Sequence, residues 1–445
     1  MESVDVIVIG AGFAGATAAR DSAEAGHSVL VLEGRDRLGG RTWYKHFRGK
    51  EKALEFGGTW IAPDQQRYVK AEIERYGLEL FQSPTYDKFG WGIGGEIINA
   101  PFPFPASDWP ALERVIARID SDSDRIRFYE EPLGQPGLED LDIPFSDYVD
   151  RFDLPDRVRD FILAWPAFYF GAYPDKLSAL HVLSWNTGFG SAVGWYLFLV
   201  DKIVGGTGVL IERILHDQQL RVEYNVDVRQ VRDHGDHVVV TAEDGTQYTA
   251  KHVIVTAPIN TWERIDFSPS LPYSHQAMAT EKQAGESVKI WALVPKQDEA
   301  FFGVGIHTTL KWLATEYTTD EGSYLCGFAS AEADLDGSDL EAVTRAVQEF
   351  LPGIEVLDSD SHDWNNDKFS NGTWMAYRPG QVIAHSQALQ QPHGRVFFGN
   401  SDLASGWAGW FDGAIESGAR AAAQSNEKLH AASADADADL LVEQG

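Results

Sequence analysis

The sequence contains a single cysteine, Cys326, among 445 residues. An intramolecular disulfide is therefore impossible, and a cysteine-based metal site cannot form. Basic residues are also scarce: 37 Lys and Arg stand against 67 Asp and Glu, which gives a formal net charge of −30. A chain of this charge repels nucleic acids and anionic membrane surfaces, so we expect neither as a partner.

Long apolar runs are missing as well. The sequence has no stretch of about eighteen apolar residues, the length that a membrane-spanning helix needs. No secretory signal pattern precedes the first predicted strand, so we expect a cytoplasmic protein. The 13 histidines form no HExxH motif or other ligand cluster, and no metal is expected. The sequence leaves the oligomeric state open, with a homodimer as one alternative.

The chain begins with the pattern of a dinucleotide-binding unit. Residues 4–9 form a Val- and Ile-rich predicted strand, which a helical segment and a second apolar strand follow. Gly10 serves the tight turn, Gly12 lets a pyrophosphate approach the backbone, and Gly15 lets helix and strand pack closely. Glu33 ends the second strand and accepts hydrogen bonds from a ribose hydroxyl. An acid there disfavours the 2′-phosphate of NADP, which leaves FAD and NAD.

The next residues favour FAD. The stretch EGRDRLGGRT at 33–42 resembles the extended signature of the FAD-dependent amine oxidase family, and FGGTW at 56–60 resembles the next flavin-contacting loop of that family. The resemblance extends from Val4 to about Arg420. It implies an α/β fold in which a Rossmann-type FAD-binding domain is interleaved with a substrate domain of mixed sheet plus helices.

Each domain is expected to be discontinuous. The FAD-binding parts are predicted at 1–80, 201–262 and 381–432, a helical substrate part at 81–200, and a substrate sheet at 263–380. The small acidic residues of 433–445 favour a disordered tail.

The resemblance also implies which residues contact FAD. Glu33 binds the adenosine ribose, and Arg35, Gly40 and Arg41 lie on the phosphate and flavin side. The backbone N–H of Phe411, at a helix N-terminus, is expected near flavin O2. The other expected contacts are Gly57, Gly58, Thr59, Trp60, Val228, Trp364, Ser401, Asp402 and Ala414.

Lys289 is a candidate catalytic residue in the predicted strand SVKIWALV. Strand alternation places it on one face with Trp291 and Leu293. On a buried face its ammonium needs a partner or loses its proton, whereas on an open face it is an ordinary surface lysine. The alternation leaves both alternatives open. Amine oxidases carry a lysine at the matching position, linked through water to flavin N5, and the resemblance implies a role in the reaction with oxygen.

Two tryptophans, Trp374 and Trp410, occupy the places where amine oxidases carry two facing aromatic rings in front of the flavin. Such a cage directs the lone pair of a neutral amine toward the flavin and excludes water. The alternative is a core position, since the chain has 14 Trp. Relatives with covalent FAD carry a cysteine directly before the first cage residue. Thr373 stands there instead, which predicts non-covalent FAD.

Substrate selectivity is expected from the aromatic segment 163–171. This segment resembles the corresponding one of cyclohexylamine oxidases and, more distantly, of 6-hydroxynicotine oxidases. The hydroxynicotine enzymes place an asparagine where Phe168 falls, and a phenyl ring cannot make that polar contact. Tyr169, Trp195 and Phe198 are further candidates for substrate contacts, although a packed helix accounts for the last two equally well.

Together these features predict an FAD-dependent oxidase of small apolar cycloalkyl or aryl-alkyl monoamines, with O2 as the acceptor. The amine becomes an imine, which water hydrolyses to a ketone or aldehyde, and O2 becomes H2O2. The alternatives are a nicotine-type oxidase of cyclic secondary amines, a carbon–carbon desaturase on the same fold, and a binding protein that has lost the flavin. No acid is evident near the candidate pocket, so diamines are expected to be poor substrates.

Overall fold

The structure is a computed structural model that describes residues 3–197 and 201–443. The described strands are β1 (Ser3–Ile9), β2 (Val29–Leu32), β3 (Tyr44–His46), β4 (Ala53–Glu55), β5 (Leu80–Gln82), β6 (Lys88–Ile93), β7 (Glu96–Ile98), β8 (Asp201–Ile203), β9 (Arg221–Glu223), β10 (Val228–Asp233), β11 (Val238–Ala242), β12 (Gln247–Val255), β13 (Asp266–Ser268), β14 (Ser287–Val294), β15 (Phe301–Gly305), β16 (Leu310–Thr318), β17 (Ser323–Ser330), β18 (Asp358–Ser361) and β19 (Val396–Phe398). The described α-helices are α1 (Phe13–Glu24), α2 (Arg67–Tyr76), α3 (Trp109–Ser123), α4 (Phe145–Asp150), α5 (Asp156–Phe170), α6 (Ala179–Phe189), α7 (Ala192–Leu197), α8 (Gly208–Asp217), α9 (Tyr273–Glu281), α10 (Leu340–Phe350), α11 (Gln381–Leu389) and α12 (Phe411–Glu443).

The first sheet has the strand order β13-β10-β11-β12-β1-β2-β9, and β19 pairs with β12. Strand β1 lies between β2 and β12 and is parallel to both. Its residue Ile7 belongs to one core cluster, whereas Val6 and Val8 belong to another. Strand alternation thus buries both faces, as expected for a parallel strand that packs against other elements on each side.

The turn from β1 into α1 depends on glycine. Gly10 has a φ of +106°, which favours glycine. A Cβ on Gly15 would stand 1.9 Å from the carbonyl oxygen of Gly10, so that only hydrogen fits there. This close contact sets the start of α1 directly against the end of β1. The structure therefore confirms the βαβ unit that the glycine spacing predicts.

The second sheet has the order β18-β14-β17-β16-β15-β6-β7. Helix α5 contacts one part of it, and α10 contacts β16 and β18. Within β14, Trp291 and Leu293 belong to one core cluster and Ile290 and Ala292 to another. Both faces of β14 are therefore buried, which places any charged side chain of this strand inside the protein.

The chain passes between the two sheets several times. The first sheet takes strands from near the N-terminus, from the middle of the chain and from β19, whereas the second takes β6, β7 and β14–β18. This alternation confirms the predicted fold of two interleaved α/β parts. Among the described helices, none combines the length and the apolar composition that crossing a bilayer requires.

The last helix differs from the sequence expectation. Helix α12 extends to Glu443, whereas the acidic composition of residues 433–445 favours a disordered tail. The segment is rich in alanine and leucine, which have the highest helix propensities, and it continues a helix that is already nucleated.

Candidate active site

Two cavities adjoin between the sheets. The inner cavity lies against the turn from β1 to α1, and Gly10, Gly12 and Glu33 are among its lining residues. The aromatic cavity has a volume of about 900 Å³, and Phe168 and Tyr169 line it. The residues that line both cavities, here called the junction, are Gly57, Gly58, Phe328, Trp374, Gly409, Trp410 and Phe411.

Glu33 organises one end of the inner cavity. Its side chain is buried, and its Oε2 accepts a hydrogen bond from the backbone N–H of Ala11 at 2.8 Å. Its Oε1 accepts from the backbone N–H of Arg35, also at 2.8 Å. One carboxylate thus fixes both loops that border the cavity. Each oxygen keeps a second lone pair, which can accept a hydrogen bond from a hydroxyl.

Arg35 and Arg41 are among the residues that line the inner cavity, and each is held by a carboxylate. Arg35 donates to Asp367 Oδ1 at 2.6 Å, and Arg41 donates to Asp402 Oδ1 at 2.6 Å. Burial raises the pKa of Asp367, but the hydrogen bond from His362 and the charge of Arg35 outweigh it and hold that pKa well below its usual range. The guanidinium groups are therefore fixed in place before any ligand binds.

Lys289 is buried, so the surface alternative is wrong. Its Nζ donates to the carbonyl oxygen of Gly57 at 2.9 Å and to Thr59 Oγ1 at 2.5 Å. In the described part of the chain, no carboxylate oxygen lies within ion-pair distance of this Nζ. Burial lowers the pKa of Lys289 from its ordinary value of 10.5. The side chain lines the inner cavity next to the junction.

The pairing of strands places Lys289 in one cross-strand row with two aromatic residues. Lys289 pairs with Phe328 between β14 and β17, and Phe328 pairs with Trp312 between β17 and β16. The row leads from the inner cavity through the junction into the aromatic cavity. At its far end Phe168, from α5, stacks on Trp312 with a centroid distance of 5.1 Å and an interplanar angle of 8°.

The two cage candidates, Trp374 and Trp410, lie at the junction. Each is partly exposed, which argues against a purely core role. Gly409, with a φ of +88°, allows their loops to touch, since a Cβ there would stand 2.8 Å from the backbone nitrogen of Met375. Edge contacts fix both rings: Trp374 packs against Phe328 at 5.6 Å, and Trp410 packs against Trp185 at 4.9 Å.

The structure brings most of the other predicted residues to the expected cavities. Val228, Trp364, Ser401, Phe411 and Ala414 line the inner cavity together with Gly40 and Arg41. Thr59 and Trp60, expected at the cofactor, line the aromatic cavity instead, because the loop that carries them turns across the junction. Asp402 lies behind Arg41 rather than in the cavity wall. Phe198 and the side chain of Trp195 lie outside the described residues.

The sequence analysis missed an acid in the aromatic cavity. Glu316 lines this cavity, and its Oε2 accepts from Lys202 Nζ at 2.6 Å and from the Ser83 hydroxyl at 2.9 Å. Tyr86 donates to Oε1 at 3.2 Å. Strand alternation in β16 could have indicated Glu316, because it shares a face with Trp312. Its partner Lys202 is 114 residues away, and no sequence signal connects the two.

The fold and site together define a nucleotide-binding cavity joined to an aromatic pocket. The chain belongs to the flavin containing amine oxidoreductase family, which matches residues 13–425. It is 34% identical over 418 residues to (S)-6-hydroxynicotine oxidase of Paenarthrobacter nicotinovorans, an alignment that covers 93% of this chain and 97% of that protein.

Solved structures agree with this assignment. Wild-type putrescine oxidase bound to putrescine has a TM-score of 0.87 and 25% identity, with 95% of this chain and 99% of that chain covered. Cyclohexylamine oxidase from Brevibacterium oxydans IH-35A has a TM-score of 0.84 at 21% identity, covers 96% of this chain and 100% of its own, and shows the shared fold. The protein is therefore a flavin-dependent oxidoreductase, as predicted.

The inner cavity fits a flavin dinucleotide. A Cβ added to Gly12 would meet Gly40 Cα only at 3.8 Å, so this stretch of backbone is open to a ligand. No side chain caps the N-terminus of α1, whose N–H groups suit a pyrophosphate. Glu33 would suit the ribose, and Asp367 and Asp402 fix Arg35 and Arg41, whose positive charges would suit the phosphates.

The burial of Lys289 predicts that the difference in folding stability between wild type and Lys289→Met depends on pH. Because its pKa is lowered in the folded state, the unfolded chain binds the proton more tightly, and folding stability rises with pH between the lowered pKa and 10.5. Lys289→Met lacks this dependence. We expect the stability of the variant relative to wild type to fall as pH rises through this window, by at most about 1.4 kcal/mol per pH unit.

Thermal unfolding of both proteins between pH 6 and 10 measures this difference. Lys296→Met, at a lysine side chain that is 54% exposed, is the matched control and should show no such trend. A difference that does not change with pH would mean that Lys289 keeps its ordinary pKa in the folded protein.

Proposed function

We propose that the protein is an FAD-dependent oxidase of small apolar cycloalkyl or aryl-alkyl monoamines. The observation that carries this proposal is the position of Trp374 and Trp410 at the junction, with the Phe168–Trp312 stack beyond them. An amine placed between the two indoles has its reacting carbon next to the inner cavity and its ring in the aromatic cavity. Burial of the ring contributes roughly 25 cal/mol for each Å² of apolar surface.

The reaction converts a primary amine, water and O2 into a ketone or aldehyde, ammonia and H2O2. The flavin, when bound, accepts two electrons from the amine and passes them to O2. The residues of this chain bind and orient the substrate and exclude water. Trp374 and Trp410 orient the amine between their rings, and the loss of water around an ammonium in this aromatic site favours the neutral form of the amine.

Lys289 has the position needed to act next to the flavin. Its Nζ is held by Gly57 and Thr59 and lines the inner cavity beside the junction. With two of its hydrogen bonds directed to the protein, the group can offer one more to a water or to O2-derived oxygen. Phe411 begins α12, whose dipole favours negative charge at its N-terminus. We assign its backbone N–H to the carbonyl edge of the flavin.

A nicotine-type oxidase is the second candidate. The 34% identity to (S)-6-hydroxynicotine oxidase supports it. The stacking of Phe168 on Trp312 argues for apolar rings instead, because neither side chain at this wall offers a hydrogen bond to a ring hydroxyl through its stacked face. A cyclic secondary amine with an apolar ring satisfies both observations.

A peroxide-release screen tests the proposed function. Cyclohexylamine and 2-phenylethylamine should exceed putrescine and spermidine by at least ~100-fold in kcat/KM, which corresponds to about 2.7 kcal/mol. The reason is that Glu316, the acid among the lining residues of the aromatic cavity, is already paired with Lys202, so a second ammonium remains without a free carboxylate there. Phe168→Asn should reduce the difference in kcat/KM between apolar amines and hydroxypyridine amines. Equal rates for spermidine and the best monoamine in the wild type would contradict the proposal.

The cofactor is expected to be non-covalent FAD. Thr373 precedes the first cage residue, and the only cysteine, Cys326, is buried in β17. Acid precipitation should therefore release all of the yellow colour into the supernatant, where chromatography should identify FAD. Colour that stays in the pellet would show a covalent link through another residue.

Lys289→Met should slow the reaction with O2. We expect flavin reoxidation to fall by about tenfold or more, since a positioned donor contributes at least that much, whereas reduction by the amine should change much less. Stopped-flow measurement of the two half-reactions separates the effects. An unchanged oxidative half-reaction would restrict Lys289 to holding the loop of Gly57 and Thr59.

A further inference from the structure

A polar cluster interrupts the aromatic cavity. It consists of Glu316, Lys202, Ser83 and Tyr86, and we call it the Glu316 cluster. Glu316, Ser83 and Tyr86 line the cavity, whereas Lys202 reaches the carboxylate from β8, outside the lining residues. Glu316 lies about 13 Å along β16 from Trp312, four strand residues away.

Trp60 connects this cluster to the reaction end of the site. Its indole ring lies 4.8 Å from Lys289 Nζ, and its Nε1 donates to Ser83 Oγ at 3.2 Å. The Ser83 hydroxyl in turn donates to Glu316. Both the junction and three members of the Glu316 cluster line the aromatic cavity, so the distal end of a chain-shaped amine of sufficient length would face this cluster.

The negative charge of Glu316 is paired with the positive charge of Lys202 inside the protein. The side chains of Lys202 and Glu316 are 3% and 1% exposed, and their charged atoms are 2.6 Å apart. Lys202 Nζ also lies over the ring of Tyr317 at 4.5 Å and near that of Phe81 at 5.0 Å. These rings and the carboxylate hold the ammonium in one place, so that it stays with Glu316 when substrate enters.

We propose that Lys202 is a specificity-determining residue that occupies Glu316 and thereby closes the aromatic cavity to diamines. The inference rests on the proposed amine oxidase function and refines its substrate class. A carboxylate in the wall of an amine pocket would pair with the distal ammonium of a diamine. With Lys202 in place, its ammonium lies 2.6 Å from the carboxylate and offsets much of the attraction of Glu316 for a distal ammonium.

Loss of the Lys202 charge should raise kcat/KM for diamines relative to monoamines. Without it, Glu316 is a buried carboxylate that lacks its cation, which is costly until another cation binds. A diamine of suitable length supplies that cation, whereas a monoamine of the same chain length does not. Lys202 therefore excludes diamines by occupying their binding partner rather than by blocking space.

The experiment compares matched pairs of substrates: butylamine with putrescine, and hexylamine with 1,6-diaminohexane. In FAD-loaded Lys202→Met, the ratio of kcat/KM for diamine over monoamine should rise at least tenfold relative to wild type for one pair. Lys202→Arg, which keeps the cation, should hold the ratio within about twofold of wild type. The double variant Lys202→Met, Glu316→Gln should return the ratio to the wild-type range.

Two results would overturn the inference. One is an unchanged ratio in a folded Lys202→Met that still oxidises monoamines, which leaves the proposed function intact. The other is a wild type that already prefers the diamine. A wild type that oxidises neither these linear amines nor cyclohexylamine and 2-phenylethylamine would instead refute the proposed function.

If Lys202→Met does not fold, a second variant tests the inference. Lys202→Gln keeps a hydrogen-bond donor toward Glu316 without the charge. In this variant, 1,6-diaminohexane should raise the thermal unfolding temperature more than hexylamine does, and in wild type it should not. Equal shifts for both amines in Lys202→Gln would also contradict the role of the Lys202 charge.

Discussion

The active-site architecture depends on the burial of Lys289. A buried amino group must satisfy its N–H groups, and here Gly57 and Thr59 accept them. The loop of these residues is thereby fixed over the sheet at the level of β14. Gly57 in turn has no room for a side chain, since a Cβ would stand 2.1 Å from the carbonyl oxygen of Arg41. One lysine thus connects the substrate sheet to the arginine loop of the inner cavity.

Ion pairs give the two cavities different electrostatic environments. Asp367 and Asp402 pair with arginines that line the inner cavity and leave donor groups for phosphates. In the aromatic cavity the ion pair of Lys202 and Glu316 leaves no net charge in a wall that is otherwise largely aromatic. Burial also lowers the pKa of Lys289 at the edge of the junction. The two cavities therefore differ in charge: fixed arginines line the inner one, whereas the ion pair in the wall of the aromatic one is internally neutral.

Sequence patterns predicted the features that depend on residues close together in the chain. The glycine spacing and Glu33 predicted the βαβ unit, and β14 has the bounds of the predicted strand SVKIWALV. Contacts between distant segments were not predictable. Alternation gave Lys289 a face but not the loop of Gly57, Thr59 and Trp60 that covers it, and the family resemblance placed Thr59 and Trp60 with the cofactor. The pairing of Lys202 with Glu316 depends on β8 and β16 meeting in three dimensions, which neither segment encodes alone. The assigned roles of the site residues and the domain boundaries stay predictions.

The contrast between the two halves explains how one fold serves different amines. In the inner cavity the backbone itself forms the binding surface, and Gly15 tolerates no side chain because an added Cβ would stand 1.9 Å from the carbonyl oxygen of Gly10. In the aromatic cavity the wall includes side chains from β16 and β17, whose backbone hydrogen bonds fix the sheet, and from helix α5. Replacement of Phe168, Trp312 or Glu316 changes the chemistry of this wall without moving the strands. The similar proteins named (S)-6-hydroxynicotine oxidase and putrescine oxidase differ in their named substrates, and differences confined to such wall side chains let proteins of this kind keep one fold.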